Sequence, residues 1–300
     1  MTARKKAILA LITANIIWGA ASPIFKWSLE NITPFTLAFL RFFGASLLVY
    51  PFVAHRLFIH RQDWIKVLLL SVLGITINIT FFFFGLKYSL AINAPIISSS
   101  APLFLYLASI FYLHEKPHKR VLHGMLIGLF GVLIIIIKPV FEKGLDGSVL
   151  GNLFFCLAMF SAIGHAIISK DVLKRNSSIV VTFWSFLIGS ITFFPLFVYE
   201  QATYQPLASL DIRGMVGIVY GILFSSALAY TLFEWGLEKI DTQEVGLFNY
   251  VDPLVATIIA IPLLGEKVTG LFLFGSMLVF IGIFIAERRI HYHPLHKLRE

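Results

Sequence analysis

Residues 85–116 read GLKYSLAINAPIISSSAPLFLYLASIFYLHEK, and residues 236–267 read GLEKIDTQEVGLFNYVDPLVATIIAIPLLGEK. Laid over each other at a shift of 151 positions, they pair Gly85-Leu86 with Gly236-Leu237, Pro102-Leu103 with Pro253-Leu254, and Glu115-Lys116 with Glu266-Lys267. The register continues without a gap through Leu122/Leu273, Gly124/Gly275 and Gly131/Gly282. Leucine and isoleucine coincidences are cheap in an apolar chain; paired Pro, Gly and Glu-Lys in one register are not. A shift of 144 also pairs Lys26 with Lys170, which extends the correspondence toward the start of the chain. The chain reads as a duplication.

What is duplicated follows from composition. Of 300 residues, 58% are hydrophobic and 13% charged, with a mean hydropathy of +0.86. Soluble domains carry about 25% charged and about 45–50% apolar residues, so the chain lacks the polar atoms to cover a globule and belongs in a lipid bilayer. Helix-length apolar runs lie at 7–29, 35–54, 64–86, 90–113, 121–137, 148–169, 179–199, 213–237, 242–264 and 269–286. The first run, preceded by Arg4, Lys5 and Lys6, is longer than the apolar region of a signal peptide and is taken as a span. At about 20 residues per span, ten spans leave no room for a soluble catalytic domain. The expected fold is an all-α membrane protein of ten transmembrane helices, divided into five-helix units at 1–144 and 145–300. Because five is odd and consecutive spans alternate direction, the second unit is inverted relative to the first. Inverted repeats allow one central site to face either side of a membrane in turn, which points to a transporter.

The 24 Lys and Arg residues against 16 Asp and Glu lie in short clusters between apolar runs, not on a contiguous basic face, so nucleic acid is not an expected partner. With the N-terminus inside, 17 of these cations fall on inner segments and six, Lys26, Lys87, Lys138, Lys143, Arg213 and Lys267, on outer ones. The excess of inner cations predicts cytoplasmic termini in the cell membrane. The single cysteine, Cys156, excludes a disulfide framework and a Cys-based metal site.

Trp18-Gly19 in span 1, Pro34 before span 2 with Arg41 inside it, and the repeated segments Gly85 to Glu115-Lys116 and Gly236 to Glu266-Lys267 resemble the EamA-like branch of the drug/metabolite transporter superfamily. The resemblance covers nearly the whole chain. It implies a carrier of amino acids or other metabolites, since relatives export such compounds and some import them. The halves depart from each other at Ala162-Ile163, where a Trp-Gly would repeat, and at Ser185, which stands opposite Arg41.

Polar groups at membrane depth are costly and face the bundle interior, so each is a candidate for function, against the alternative of a structural contact between helices. The expected substrate cavity draws on Asn15, Trp18, Asn78, Asn93, Ser98, Tyr106, His165, Trp184, Tyr230, Asn249, Tyr250 and Asp252. Aromatic walls with a few fixed polar groups suit an amphipathic organic solute. Pro102 and Pro253 predict bends at equivalent places in spans 4 and 9, and paired interruptions point to a midplane site. Asp252 either lines that site or partners a buried cation such as Arg41. Arg41, unable to shed its charge, needs a carboxylate, carbonyls or an anionic substrate; a structural or gating role is favoured. Glu234 is either a proton carrier or an interfacial acid beside Lys239, and His165 is either a second proton carrier or a satisfied polar contact. Gly124, Gly128, Gly131, Gly275 and Gly282 form small-residue faces that read as internal scaffold, with a dimer contact as the alternative.

His114-Glu115-Lys116-Pro117-His118 matches H-E-x-x-H, but Pro117 interrupts the helix that a zinc site requires, and Glu115-Lys116 is already explained by its repeat. No metal and no cofactor is expected. With no nucleotide-binding motif in the sequence, transport energy comes from a gradient. The leading expectation is a secondary transporter that exports a small organic metabolite, an amino acid or similar compound, by alternating access, with the lipid bilayer and that small-molecule substrate as partners and protons as candidate co-substrate. An uptake carrier or exchanger is the alternative, ahead of an intramembrane enzyme or a channel.

Overall fold

The computed structural model describes residues 3–101, 103–104, 119–143, 147–240 and 246–287. Those residues form helices and no strand. In chain order they are α1 (Ala3–Ser28), α2 (Pro34–Val53), α3 (Trp64–Ser71), α4 (Asn78–Tyr88), α5 (Asn93–Ser98), α6 (Lys119–Lys143), α7 (Gly147–Val172), α8 (Ser178–Tyr204), α9 (Ile212–Tyr220), α10 (Ala229–Lys239), α11 (Val251–Leu264) and α12 (Gly270–Glu287). A π-helical segment, Val72–Ile77, joins α3 to α4, and another, Gly221–Leu228, joins α9 to α10, so each pair is one continuous rod. Six rods are long and apolar enough to cross a bilayer, and Leu122–Ile135, Phe248–Leu264 and Gly270–Gly282 are shorter apolar helices. Most of the fourth expected span, 90–113, lies outside the described residues.

The burial pattern inverts that of a soluble protein. Arg41 is 2% exposed while Phe52 is 78% exposed, the arrangement expected when lipid is the outer solvent and polar groups must be satisfied internally. Helix ends are held accordingly. Thr33 stands at the N-cap of α2 with Pro34 next to it, where a missing N–H costs nothing. Glu200 of α8 accepts from the free backbone N–H groups of Phe35 and Thr36 and from the hydroxyls of Thr33 and Thr36. Asp211 caps α9 by accepting from the backbone of Arg213 and Gly214. Gly265, at φ +64°, ends α11 in the left-handed conformation that glycine adopts freely.

Helix pairing crosses the midpoint of the chain. The α2 helix packs on α8, and α6 on α12. The α1 helix packs on α10 and α11, while α7 packs on α4 and α5; α2 meets the second π segment, while α8 meets the first. Exchanging the halves maps the first two pairings onto themselves and interchanges the others. The glycine faces are internal scaffold: a Cβ on Gly282 would lie 2.4 Å from the Gly124 carbonyl oxygen, and one on Gly131 would lie 2.5 Å from that of Gly275. Backbone contact between α6 and α12 therefore requires them.

Two expectations about helix shape change. Pro253 does not bend a continuous α-helix; it lies in the first turn of α11, just after a 3-10 segment, Gly246–Tyr250. A proline is tolerated there because first-turn N–H groups have no intrahelical acceptor to lose. Its counterpart Pro102 lies outside the described residues. The interruptions within long rods are the two π segments instead, and neither contains proline.

Candidate functional site

A cavity of about 210 Å3 opens between the halves. Its wall takes Trp18 and Phe25 from α1, Arg41 from α2, Asn78 from α4 and Ser98 from α5. The second half adds His165 from α7, Tyr230 and Phe233 from α10, Asn249 from the 3-10 segment before α11, and Asp252 from the first turn of α11. Both π segments reach the wall, through Gly74 and Ser225, which correspond at the 151 shift. A π turn displaces carbonyls from the regular ladder and is frequent at functional sites. Each of these two carbonyls takes a donor from the opposite half: Tyr230 Oη donates to Gly74 O at 3.2 Å, while Trp18 Nε1 and Arg41 Nη2 donate to Ser225 O at 3.0 and 3.2 Å.

Arg41 is fixed without a counter-charge. Its Nε donates to Ser226 Oγ at 2.6 Å and its Nη2 to Ser225 Oγ at 2.9 Å. The guanidinium carbon lies 4.9 Å from the centre of the Phe25 ring and 4.7 Å from that of Phe42. Hydrogen bonds to a charged group contribute about 1.5–3 kcal/mol each and a desolvated cation–π contact up to about 2. Together these offset the cost of an arginine in the bilayer, about 2.5–3.5 kcal/mol on insertion scales. No ion pair to Arg41 occurs among the described residues, so its net charge stays on the cavity wall.

Asp252 brings a carboxyl group to the same wall. Its Oδ1 is buried with no hydrogen-bond partner, and among the described residues it makes no ion pair. The Trp18-Gly19 pair lies between the two: Trp18 shares the Ser225 carbonyl with Arg41, and a Cβ on Gly19 would stand 2.8 Å from the Asp252 carbonyl oxygen. Glycine at 19 thus lets α11 approach α1 closely enough to bring Asp252 to the cavity.

His165 and Glu234 form one unit. His165 Nε2 lies 2.8 Å from Glu234 Oε1, and His165 Nδ1 lies 2.9 Å from the Leu70 carbonyl oxygen. Ser169 Oγ also donates to Glu234 Oε1, at 3.2 Å. His165 faces the cavity with Glu234 behind it. Lys239, the expected neighbour of an interfacial Glu234, pairs with Glu238 instead.

Other expected site residues lie elsewhere. Asn15 is buried and donates to Leu11 O within its own helix. Asn93 donates to Asn152 Oδ1 and Ser89 Oγ, joining α5 to α7. Trp184 donates to the carbonyl of Leu57, at the end of the bundle where α2 gives way to its following loop. Tyr250 packs edge-on against Phe280. Tyr106 and the segment His114 to His118 lie outside the described residues.

One family model, described as the EamA-like transporter family, matches residues 5–137 and 149–287. The chain belongs to this family. An uncharacterized transporter of Archaeoglobus fulgidus is 24% identical over 289 residues, covering 95% of this chain and 99% of that protein. A probable amino-acid metabolite efflux pump of Escherichia coli is 28% identical over 298 residues, covering 94% of each chain. A crystal structure with 17% sequence identity superposes with a TM-score of 0.67, covering 97% of this chain and 99% of that one, and shares the fold. Family and relatives are transporters, not enzymes.

For an EamA-like transporter, the sequence reading singled out His165 and Asp252 for the cavity and Arg41 for a structural or gating role, whereas the structure sets all three on one wall; it missed Gly74, Ser225 and Ser226. The available signal was the Ser225-Ser226 pair inside an apolar run, in register with Gly74-Ile75. Hydroxyls there serve Arg41, which is 184 and 185 positions away in sequence.

Proposed function

We propose that the protein is a secondary transporter that moves a small zwitterionic metabolite, an amino acid or similar compound, out of the cell by alternating access. The observation that carries this reading is the pairing of Arg41 and Asp252 on one cavity wall, each without a charged partner among the described residues. A carboxylate on the substrate neutralises Arg41 and an ammonium group neutralises Asp252. Trp18, Phe25 and Phe233 receive the apolar remainder. The Escherichia coli relative, named as an amino-acid metabolite efflux pump, agrees with this substrate class and with export.

Alternating access rests on the fold. Ten spans in two inverted units, 1–144 and 145–300, are supported by the exchange of helix pairings between halves and by π segments at corresponding positions. In this arrangement both termini face the cytoplasm, and the multi-pass chain resides in the cytoplasmic membrane.

The test uses matched ligand sets on the purified protein: L-leucine, its amine without the carboxylate, and its acid without the ammonium, with the same trio built on other amino acids. Binding stabilises the folded state and raises its melting temperature. At least one amino acid binds roughly tenfold or more tightly than both of its truncated analogues, because each loses a charge-assisted contact. Equal binding of an amine or acid and its parent amino acid removes the two-point site. In vesicles, flux saturates and accelerates with substrate on the opposite side; linear flux indifferent to the far side would identify a channel.

A further inference from the structure

We propose that the His165–Glu234 pair is the proton site of this transporter, that it holds one exchangeable proton in the conformation described, and that loss of this proton drives the two side chains apart. The assignment rests on the carrier function proposed above and deepens it by separating the proton site from the substrate site.

The proton count follows from hydrogen-bond chemistry alone. The Leu70 carbonyl can only accept, so His165 Nδ1 must carry a hydrogen and donate it. A neutral imidazole with a proton on Nδ1 has a bare lone pair on Nε2. That Nε2 stands 2.8 Å from Glu234 Oε1, a separation at which two unprotonated acceptors repel. One proton must lie between them. Whether it is drawn on nitrogen, as imidazolium and carboxylate, or on oxygen, as imidazole and carboxylic acid, the pair carries one hydrogen beyond that on Nδ1. Releasing it as a hydronium ion, while Nδ1 keeps its hydrogen on the Leu70 carbonyl, leaves a bare Nε2 facing a carboxylate, with no bond between them.

The surroundings make that change consequential. His165 is 5% exposed and Glu234 1%, and Glu234 Oε2 is buried with no hydrogen-bond partner among the described residues. Ser169 supplies one donor to the carboxylate, on Oε1 only. Of the other titratable groups around the pair, Tyr230 spends its hydroxyl on Gly74 O, and Lys170 donates to the carbonyls of Leu237 and Ile240. Lys66 is joined to Asp171, and Arg41 to Ser225 and Ser226. Asn15 and Trp18 of α1 and Ser185 of α8 do not titrate. A deprotonated pair thus keeps a buried carboxylate with a single hydroxyl donor, and separation to reach water is its relief.

Separation moves the halves. His165 is tied through Nδ1 to Leu70, the last turn before the first π segment, and Tyr230 on the Glu234 helix is tied to Gly74 inside that segment. Both ties cross between the first and second units. The histidine also lines the substrate cavity, which gives the proton a route to water when the cavity is open. Asp252, on the same wall but without a histidine or hydroxyl partner among the described residues, is left to the substrate.

The experiment has a ligand-free arm and a transport arm. In the first, the full-length protein carries 15N-histidine and 13C-glutamate, and the signals of His165 and Glu234 are assigned by difference from His165→Gln and Glu234→Gln. The expected result near neutral pH is a shared proton, seen as hydrogen on Nδ1 together with either a second hydrogen on Nε2 or a protonated carboxyl. An unprotonated Nε2 beside a fully ionised carboxylate overturns the proposal. In the second, proteoliposomes are given the twenty radiolabelled L-amino acids. Wild type shows counterflow at equal pH and uphill movement under a pH step; Glu234→Gln, whose side chain stands behind the cavity wall, retains counterflow, and it and His165→Gln both lose about tenfold or more of the pH-driven component. Unchanged pH-driven movement in both variants, or none in wild type beside normal counterflow, overturns the proton site and leaves the carrier standing. Absence of counterflow in wild type overturns the carrier function itself.

Discussion

The two π segments occupy corresponding positions in the two units and receive different guests. Around Gly221–Leu228 the carbonyl of Ser225 and the hydroxyls of Ser225 and Ser226 hold Arg41, a cation that cannot be discharged. Around Val72–Ile77 the carbonyls of Leu70 and Gly74 orient His165 and Tyr230, and the histidine holds Glu234. The same backbone device therefore presents a permanent charge in one unit and a titratable pair in the other. The two sockets thus hold unlike chemistry, with Arg41 standing opposite Ser185 in the sequence register.

The comparison predicts the largest loss at the fixed charge. Arg41→Gln removes the carboxylate partner and lowers amino-acid affinity by roughly 10- to 100-fold, the range of a charge-assisted hydrogen-bond pair. Titration of the purified variant with the ligand trios measures it. The deaminated acid loses as much as the parent amino acid, whereas the amine is indifferent. An amine that weakens equally would mean that Arg41 acts on the fold and not on the ligand.

Two glycine substitutions separate the sockets by stiffness. A Cβ on Gly74 would lie 2.3 Å from His165 Nδ1, a ring already fixed at both nitrogens. A Cβ on Gly221 would lie 3.1 Å from Arg41 Cγ, on a flexible methylene stem. Gly74→Ala is expected to cost about 1–3 kcal/mol by overpacking, read as a lowered melting temperature. Gly221→Ala stays near neutral, since alanine also gains about 1 kcal/mol in helix propensity. Equal losses would remove the distinction between a rigid and a yielding socket.

A smaller effect is expected at Trp18→Phe, which keeps an aromatic wall and loses the indole donor to Ser225 O. One neutral hydrogen bond is worth about 0.5–1.5 kcal/mol, so substrate affinity should fall by a factor between about two and ten. No change would show that Arg41 alone satisfies that carbonyl.

The smallest effect lies outside the membrane, at the cap of the rod that carries the second π segment. The side chain of Arg213 hydrogen-bonds to Asp211 and holds its carboxyl below the usual carboxylate range, aided by the backbone N–H groups of Arg213 and Gly214. A carboxyl shifted down contributes stability that is present above its ordinary value near pH ~3.9 and is lost as pH falls through the lowered one. Melting curves of wild type and Asp211→Asn should differ by a constant small amount above about pH 5 and converge below about pH 4. A difference that persists in acid would assign the cap to geometry and not to charge.

The fold was legible where the bilayer dictates it. Apolar runs of span length and the glycines of α6 and α12 each reflect a constraint that composition records. The charged wall was legible for the same reason, because Arg41, His165 and Asp252 are expensive at that depth. The π segments were not: an added residue in a helical turn changes which carbonyls are free without any compositional mark. Nor could spacing show that Asn93 serves Asn152 or that Trp184 serves Leu57. Those partners are fixed by packing between elements far apart in the chain, and any buried amide or indole needs some acceptor.

Glu200 draws a consequence for biogenesis. The first turn of α2 owes its satisfied N–H groups to a carboxylate that emerges from the ribosome more than 160 residues later. Until α8 is made, that turn sits at the membrane edge with open donors, so α2 is anchored by lipid and water before it is anchored by protein. The first unit alone is therefore an unfinished insertion intermediate. Synthesis of the second unit completes the helix ends of the first, and the order of translation becomes the order of assembly.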